Sequence, residues 1–124
     1  MRVIKNEIPQ PLEQWAKSIS LRSPKVMTSL YDTNAILVGT YSKPMEFGQK
    51  QIHAYFVDFL NKENLKCEIT SNIIQHFGNG AFFICSGTYS FSFENTKVEA
   101  RYSICYKRCA DGFKIVNQHS SELP

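Results

Sequence analysis

Residues 66–93 read KCEITSNIIQHFGNGAFFICSGTYSFSF, and their period decides the fold. Before Asn64 the apolar residues fall at helical spacing; beyond it they alternate, as on a strand with one face covered. Lys66 to Phe77 alternates around Cys67, Ile69 and Ile73. Gly78-Asn79-Gly80 then supplies residues that tolerate positive φ, which a tight hairpin requires. Ala81 to Phe93 is a second long strand, and Gly87 in its middle is expected to mark a bulge that bends the sheet.

Toward the C-terminus, Glu94 to Lys97 turns and Val98 to Arg108 forms a third long strand. Ala110-Asp111-Gly112 turns again, and Phe113 to Ser121 closes the sheet. Toward the N-terminus, Leu12, Trp15, Ala16 and Ile19 share one face of a helix that starts near Pro11. Ser23-Pro24 reads as an N-cap followed by proline at the first helical position, opening a short helix with Val26, Met27 and Leu30 as its apolar ridge. Ala35 to Thr40 is a strand, Ser42 to Phe47 a loop. Ile52, Tyr55, Phe56, Phe59 and Leu60 then mark the third helix by their i, i+3, i+4, i+7, i+8 spacing. Three helices, one early strand and a four-strand meander describe an α+β fold. A curved, mostly antiparallel sheet laid around the third helix makes a cone, and such a cone encloses a pocket.

The 124 residues form a single domain, 1–124, with a core that needs neither disulfide nor metal. Residues 1–64 carry eight Lys/Arg and six Asp/Glu, and residues 65–124 carry six and five. So even a distribution leaves no basic stripe to follow a phosphate backbone, which argues against nucleic-acid binding. The four cysteines, Cys67, Cys85, Cys105 and Cys109, form no C-x-x-C pair and have no histidine at zinc-ligand spacing; no metal and no cofactor is expected. MRVIKNEIP lacks the apolar segment of a signal peptide, and no apolar run approaches a membrane span. These features predict a cytoplasmic protein with reduced thiols and no membrane partner.

The chain ends NQHSSELP, Asn117 to Pro124. Frayed polar residues are usual at a terminus, but here a histidine and two hydroxyls follow an apolar strand. That placement points to polar groups carried into a pocket or a subunit interface. With this stretch go WA at Trp15-Ala16, LYDTNAILVGT from Leu30 to Thr40, and YF at Tyr55-Phe56 with Phe59. GTYSF at Gly87 to Phe91, ARYS at Ala100 to Ser103 and DGFKIV at Asp111 to Val116 complete the series. In this order and spacing the motifs resemble the association domain of calcium/calmodulin-dependent protein kinase II and its stand-alone bacterial relatives, within the nuclear-transport-factor-2-like (SnoaL-like, cystatin-like) superfamily. No kinase elements accompany them: Gly-rich loop, HRD triplet and DFG are all missing. The resemblance implies self-association, as a homodimer or a ring. It also implies a polar cavity lined by arginine, suited to a small ligand such as an anion. Bacterial relatives usually carry two histidines before the serines; Gln118 stands at the first, which counts against a two-histidine mechanism.

On this resemblance Arg101 is the leading pocket residue, with Ser103 as the alternative in register. Both lie on one sheet face, which is expected to line the cavity. The structural alternative for Arg101 is a solvent or interface position paired with Glu99 or Glu94. His119 reads either as an acid/base or hydrogen-bonding group of the pocket or as an anchor of the terminus. Tyr89, Tyr102 and Tyr55 could turn hydroxyls inward, although tyrosines in such elements commonly serve packing. Candidate ligand-binding residues are therefore Arg101, Ser103, His119, Tyr89 and Tyr55. Asp32 and Asp58, with His119, are the weaker catalytic candidates, because ketosteroid-isomerase-like cones pair a carboxylate base with a tyrosine. His53 is expected to be structural, and His76 exposed. Phe82, Phe83, Phe91 and Phe93 place apolar groups on both sheet faces, so the outer face is expected to need a partner. A non-catalytic association module is the first reading; a SnoaL-like or ketosteroid-isomerase-like enzyme acting on a polar small molecule is the second.

Overall fold

The long strands form as their alternation dictates. The computed structural model describes residues 1–124. Its order is β1 (Arg2–Lys5), α1 (Gln10–Ile19), α2 (Pro24–Thr28), β2 (Tyr31–Val38), β3 (Glu46–Phe47), α3 (Gly48–Phe59), β4 (Lys66–Phe77), β5 (Phe82–Phe93), β6 (Thr96–Cys109) and β7 (Gly112–Glu122). One seven-stranded sheet runs β1-β4-β5-β6-β7-β2-β3. All pairings are antiparallel except β2 with β7. The expected early strand thus joins the meander at its C-terminal side.

Local chemistry sets the element ends. Pro11 occupies the first turn of α1, where its missing N–H leaves no bond unmade. Ser23 caps α2 by accepting from the Val26 amide at 3.2 Å. Gly78, Asn79 and Gly80 all take positive φ in the β4–β5 hairpin. Helices α1 and α3 pack on β4 and β2, inside the curve of the sheet. Trp15 stacks on Tyr89 (5.5 Å, 12°), and Phe59 meets Phe91 edge-on at 5.2 Å. The concave side is thus filled with rings.

Several expectations change. Two short edge strands, β1 and β3, add to the expected elements; four and two residues are too few for a period to register. Strand β2 begins at Tyr31, not Ala35, because a register irregularity between Tyr31 and Ile36 breaks the alternation there. Val26 is exposed, so the expected apolar ridge reduces to Met27 and, just beyond α2, Leu30. The sheet irregularity lies on β4, between Ile69 and Ser71, rather than at Gly87 itself. Gly87 makes it possible from the neighbouring strand: a Cβ there would sit 2.1 Å from the Ser71 carbonyl oxygen.

The phenylalanines of β5 do not divide between the two sheet faces as expected. Phe83 and Phe91 are buried, and Phe93 packs against the same core. Only Phe82, paired with Lys107 and Phe77, belongs to the outer face. The apolar groups of that face are instead Ile36, Val38, Phe47, Ile73 and Ile84.

Candidate functional site

Strand β6 fixes which side chains enter the cone. Ala100, Tyr102, Ile104 and Tyr106 are buried, so the intervening residues face outward. Arg101 and Ser103 do share one face, but it is the outer one, and they do not line the cone. Arg101 is exposed, with Nε 3.4 Å from Ser121 Oγ. His119 lies opposite Ser103 and is exposed on the same outer face. Asp32 accepts from the Asn34 amide (3.2 Å) and pairs with Lys107 (3.8 Å), away from any enclosed space. His53 is exposed on α3, whereas His76 is half-buried and tilted against Phe83.

Strand β7 carries its polar groups inward through a shift of register. Cys105 pairs with Asn117, but Tyr106 pairs with Ile115, so Val116 is the extra residue. That insertion turns Gln118 and Ser120 into the cone, and His119 and Ser121 out. Inside, Trp15 Nε1 donates to Tyr31 Oη at 3.1 Å, and Tyr31 donates to Gln118 Oε1. Tyr89 donates to Ser120 Oγ at 2.5 Å, and Thr40 Oγ1 lies 2.5 Å from the same hydroxyl. Burial pushes the Tyr31 and Tyr89 phenols well above the usual tyrosine range. The space these groups and Tyr55, Phe56 and Phe59 enclose is only ≈ 10 Å³. That is room for one water at most, so these groups satisfy one another and leave no space for a ligand; Tyr106 Oη, elsewhere in the cone, is buried without a partner.

The open site lies at the mouth. A pocket of ≈ 440 Å³ is bounded by the Tyr41–Glu46 segment on one side and α3 on the other. Its chemistry comes from Tyr41, Glu46, Tyr55, Asp58 and Lys62. Tyr55 and Phe59 line both this pocket and the deep space, and so form the wall between them. Tyr55 lies against Gly39 and stacks on Phe59 (5.6 Å, 14°). Burial raises its phenol above the ordinary range, with the Glu46 carboxylate adding to the rise. Lys62 Nζ donates to the Phe59 carbonyl (3.2 Å) and sits 5.0–5.6 Å from the centres of the Phe59, Tyr41 and Phe93 rings. Burial lowers the Lys62 ammonium, and Asp58 partly restores it.

Glu46 is the unexpected member. It pairs with Leu37, whose side chain faces the core, and is only 6% exposed. Its Oε2 is enclosed with no hydrogen-bond partner in the protein. Of the sequence candidates, only Tyr55 and Asp58 reach this pocket; Tyr89 belongs to the deep core. Glu46 had no periodic signal, because it lies in a stretch that reads as loop.

The model of the calcium/calmodulin dependent protein kinase II association domain matches residues 4–124. A provisional association domain of this kind from Xanthomonas campestris superposes with TM-score 0.85 at 26% identity, over 90% of this chain and 82% of that one. An NTF2-like protein of unknown function from Pseudomonas putida KT2440 gives TM-score 0.79 at 13% identity, covering 90% of this chain and 81% of that one. A provisional ketosteroid isomerase from Parabacteroides distasonis gives 0.77 at 16%, covering 95% and 89%. The last two likenesses concern the fold alone. No curated protein matches the chain, and no helix is long and apolar enough to cross a membrane.

Proposed function

The chain belongs to the calcium/calmodulin dependent protein kinase II association domain family, and we propose that within it the chain is a stand-alone homo-oligomerisation module with a pocket for a small ligand. The observation that carries the assembly is the composition of the outer sheet face. One rung across it reads Lys5-Ile73-Ser86-Ser103-His119-Val38, the next Val3-Gln75-Ile84-Cys105-Asn117-Ile36-Phe47. The one charged residue in the two rungs is Lys5, at the β1 edge; from β4 to β3 neither contains a lysine, arginine, aspartate or glutamate. Ile73 is 42% exposed and Phe47 55%. A solvated sheet face is normally polar, whereas the centre of an interface is depleted in charge.

Size supports the same reading. With the flanking rungs Ser71-Thr88-Arg101-Ser121 and Phe77-Phe82-Lys107-Lys114, strand spacing and rise give a face of roughly 600 Å². Side-chain relief brings that near the ~800 Å² each partner buries in a standard interface. Arg101, Lys107 and Lys114 would form the polar rim. A two-fold assembly through this face leaves the pocket of Glu46 and Tyr55 on the opposite, concave side, open to a ligand. The arginine of the ARYS motif would serve the rim rather than the cavity.

Cys105 tests this, because it sits mid-rung between Ile84 and Asn117. Thiol labelling read site by site should find Cys105 slow in the wild type and fast in Ile73→Lys, with Cys109 unchanged as reference. Equal Cys105 rates in both proteins at every concentration would refute assembly through this face. A second reading, a small-molecule enzyme, rests on the two carboxylates, Asp58 and Glu46, that share one pocket with Tyr55. Neither carboxylate is hydrogen-bonded to that phenol, so the acid–phenol pair such catalysis needs is not assembled.

A further inference from the structure

We infer that the pocket at the cone mouth selects a small organic ligand bearing a primary ammonium group, with Glu46 as its anchor. The inference deepens the ligand half of the reading above and does not depend on the assembly half. Its basis is the unmatched carboxylate. A buried acceptor without a donor is costly, and Glu46 Oε2 is such an acceptor in the wall of a ≈ 440 Å³ pocket. No arginine or lysine forms an ion pair with Glu46; the two salt bridges in the protein are Lys17–Glu13 and Lys107–Asp32.

The other groups of the pocket narrow the ligand. Lys62, just beyond the end of α3, and Asp58 carry opposite charges in the pocket wall and offset each other, leaving Glu46 as the uncompensated one. An anion would therefore meet net negative charge. The protein's own Lys62 ammonium already occupies the aromatic rim of Tyr41, Phe59 and Phe93. A ligand cation must then bind by N–H donation to the carboxylate rather than by resting on rings. That favours a primary ammonium, which carries donors, over a quaternary one, which carries none. Tyr55, Phe59, Met45 and Ala54 supply apolar contact for a short carbon chain.

The test is a titration of the full chain at pH 7 with four probes of similar size: butylammonium, tetramethylammonium, butan-1-ol and butyrate, followed by amide NMR shifts. Saturable shifts at Tyr41, Glu46 and Tyr55 with butylammonium, and none with the other three up to about 10 mM, are expected. Glu46→Gln should weaken butylammonium by ~10-fold or more, as loss of a hydrogen bond to a charged group does. Asp58→Asn, the same change of formal charge in the same pocket, should weaken it by less than ~3-fold. Glu46→Asp keeps the charge and should keep the order of the four probes, which a misfolded protein would not. Equal response to butyrate or butanol, equal losses in Glu46→Gln and Asp58→Asn, or no response to any probe would each overturn the inference. The mass of the assembly is read separately, so failure here is distinct from failure of the oligomerisation reading.

Discussion

Replacing Gly39 by alanine places a methyl group inside the ring of Tyr55. The new Cβ would lie 2.2 Å from Tyr55 Cε1, 2.5 Å from Cζ and 2.7 Å from the hydroxyl. Ordinary contact begins near 3.4 Å, so the ring must move by about 1.2 Å. Tyr55 has little room to give. Its ring stacks on Phe59 at 5.6 Å and meets Phe56 edge-on at 5.1 Å. Overpacking of this kind costs about 1–3 kcal/mol, and a disturbed aromatic pair ~0.5–1.5 kcal/mol more. The expected loss is about 3 kcal/mol, or roughly 10 °C in Tm for a domain of this size. Urea denaturation of a double-mutant cycle isolates the cause. Gly39→Ala should cost about 3 kcal/mol beside Tyr55 and under ~0.5 kcal/mol in a Tyr55→Ala background. The same cost in both backgrounds would refute the claim that Gly39 is small in order to seat the wall of the pocket.

Gly87→Ala is expected to cost at least as much, about 3 kcal/mol or more, because its Cβ would strike backbone, the Ser71 carbonyl, rather than a movable side chain; a denaturation midpoint within error of the wild type would contradict the close approach of β4 to β5. Alkaline pH should unfold the protein cooperatively. Burial raises the phenols of Tyr31, Tyr55, Tyr89, Tyr102 and Tyr106 above the ordinary value of 10.0 and pushes the Cys85 thiol up to about 12. Acids held protonated in the fold contribute stability that is complete below their unfolded pKa and is lost as pH rises through the folded one. Beyond the single phenolate of exposed Tyr41, absorbance at 295 nm should therefore rise together with loss of circular dichroism above about pH 10; more than one phenolate appearing from intact protein would contradict the burial of these rings.

The element order was legible because each long segment obeys a single period. Leu12, Trp15, Ala16 and Ile19 sufficed for α1, and Gly78-Asn79-Gly80 for the hairpin. The facing of the candidate site was legible in part. Ala100, Tyr102, Ile104 and Tyr106 are apolar or aromatic at every second position, and that alternation already puts Arg101 and Ser103 on the opposite side from the core. For His119 no such rule was available. Counting from Ile115, an inward residue, would bring His119 inward; the extra residue at Val116 reverses the parity and brings Gln118 and Ser120 in instead. Nothing in the residues marks that insertion. Glu46 was illegible for a different reason. A two-residue strand has no period, and its burial arises only when β3 pairs with β2 beside Leu37.

The mass of the chain in solution, by light scattering over a wide range of concentration, tests the central claim most directly. The expected mass is at least twice the subunit mass of 14.2 kDa, falling toward one subunit in Ile73→Lys, which adds a second ammonium beside Lys5 on the face to be buried. A wild-type mass of one subunit at every concentration would contradict it.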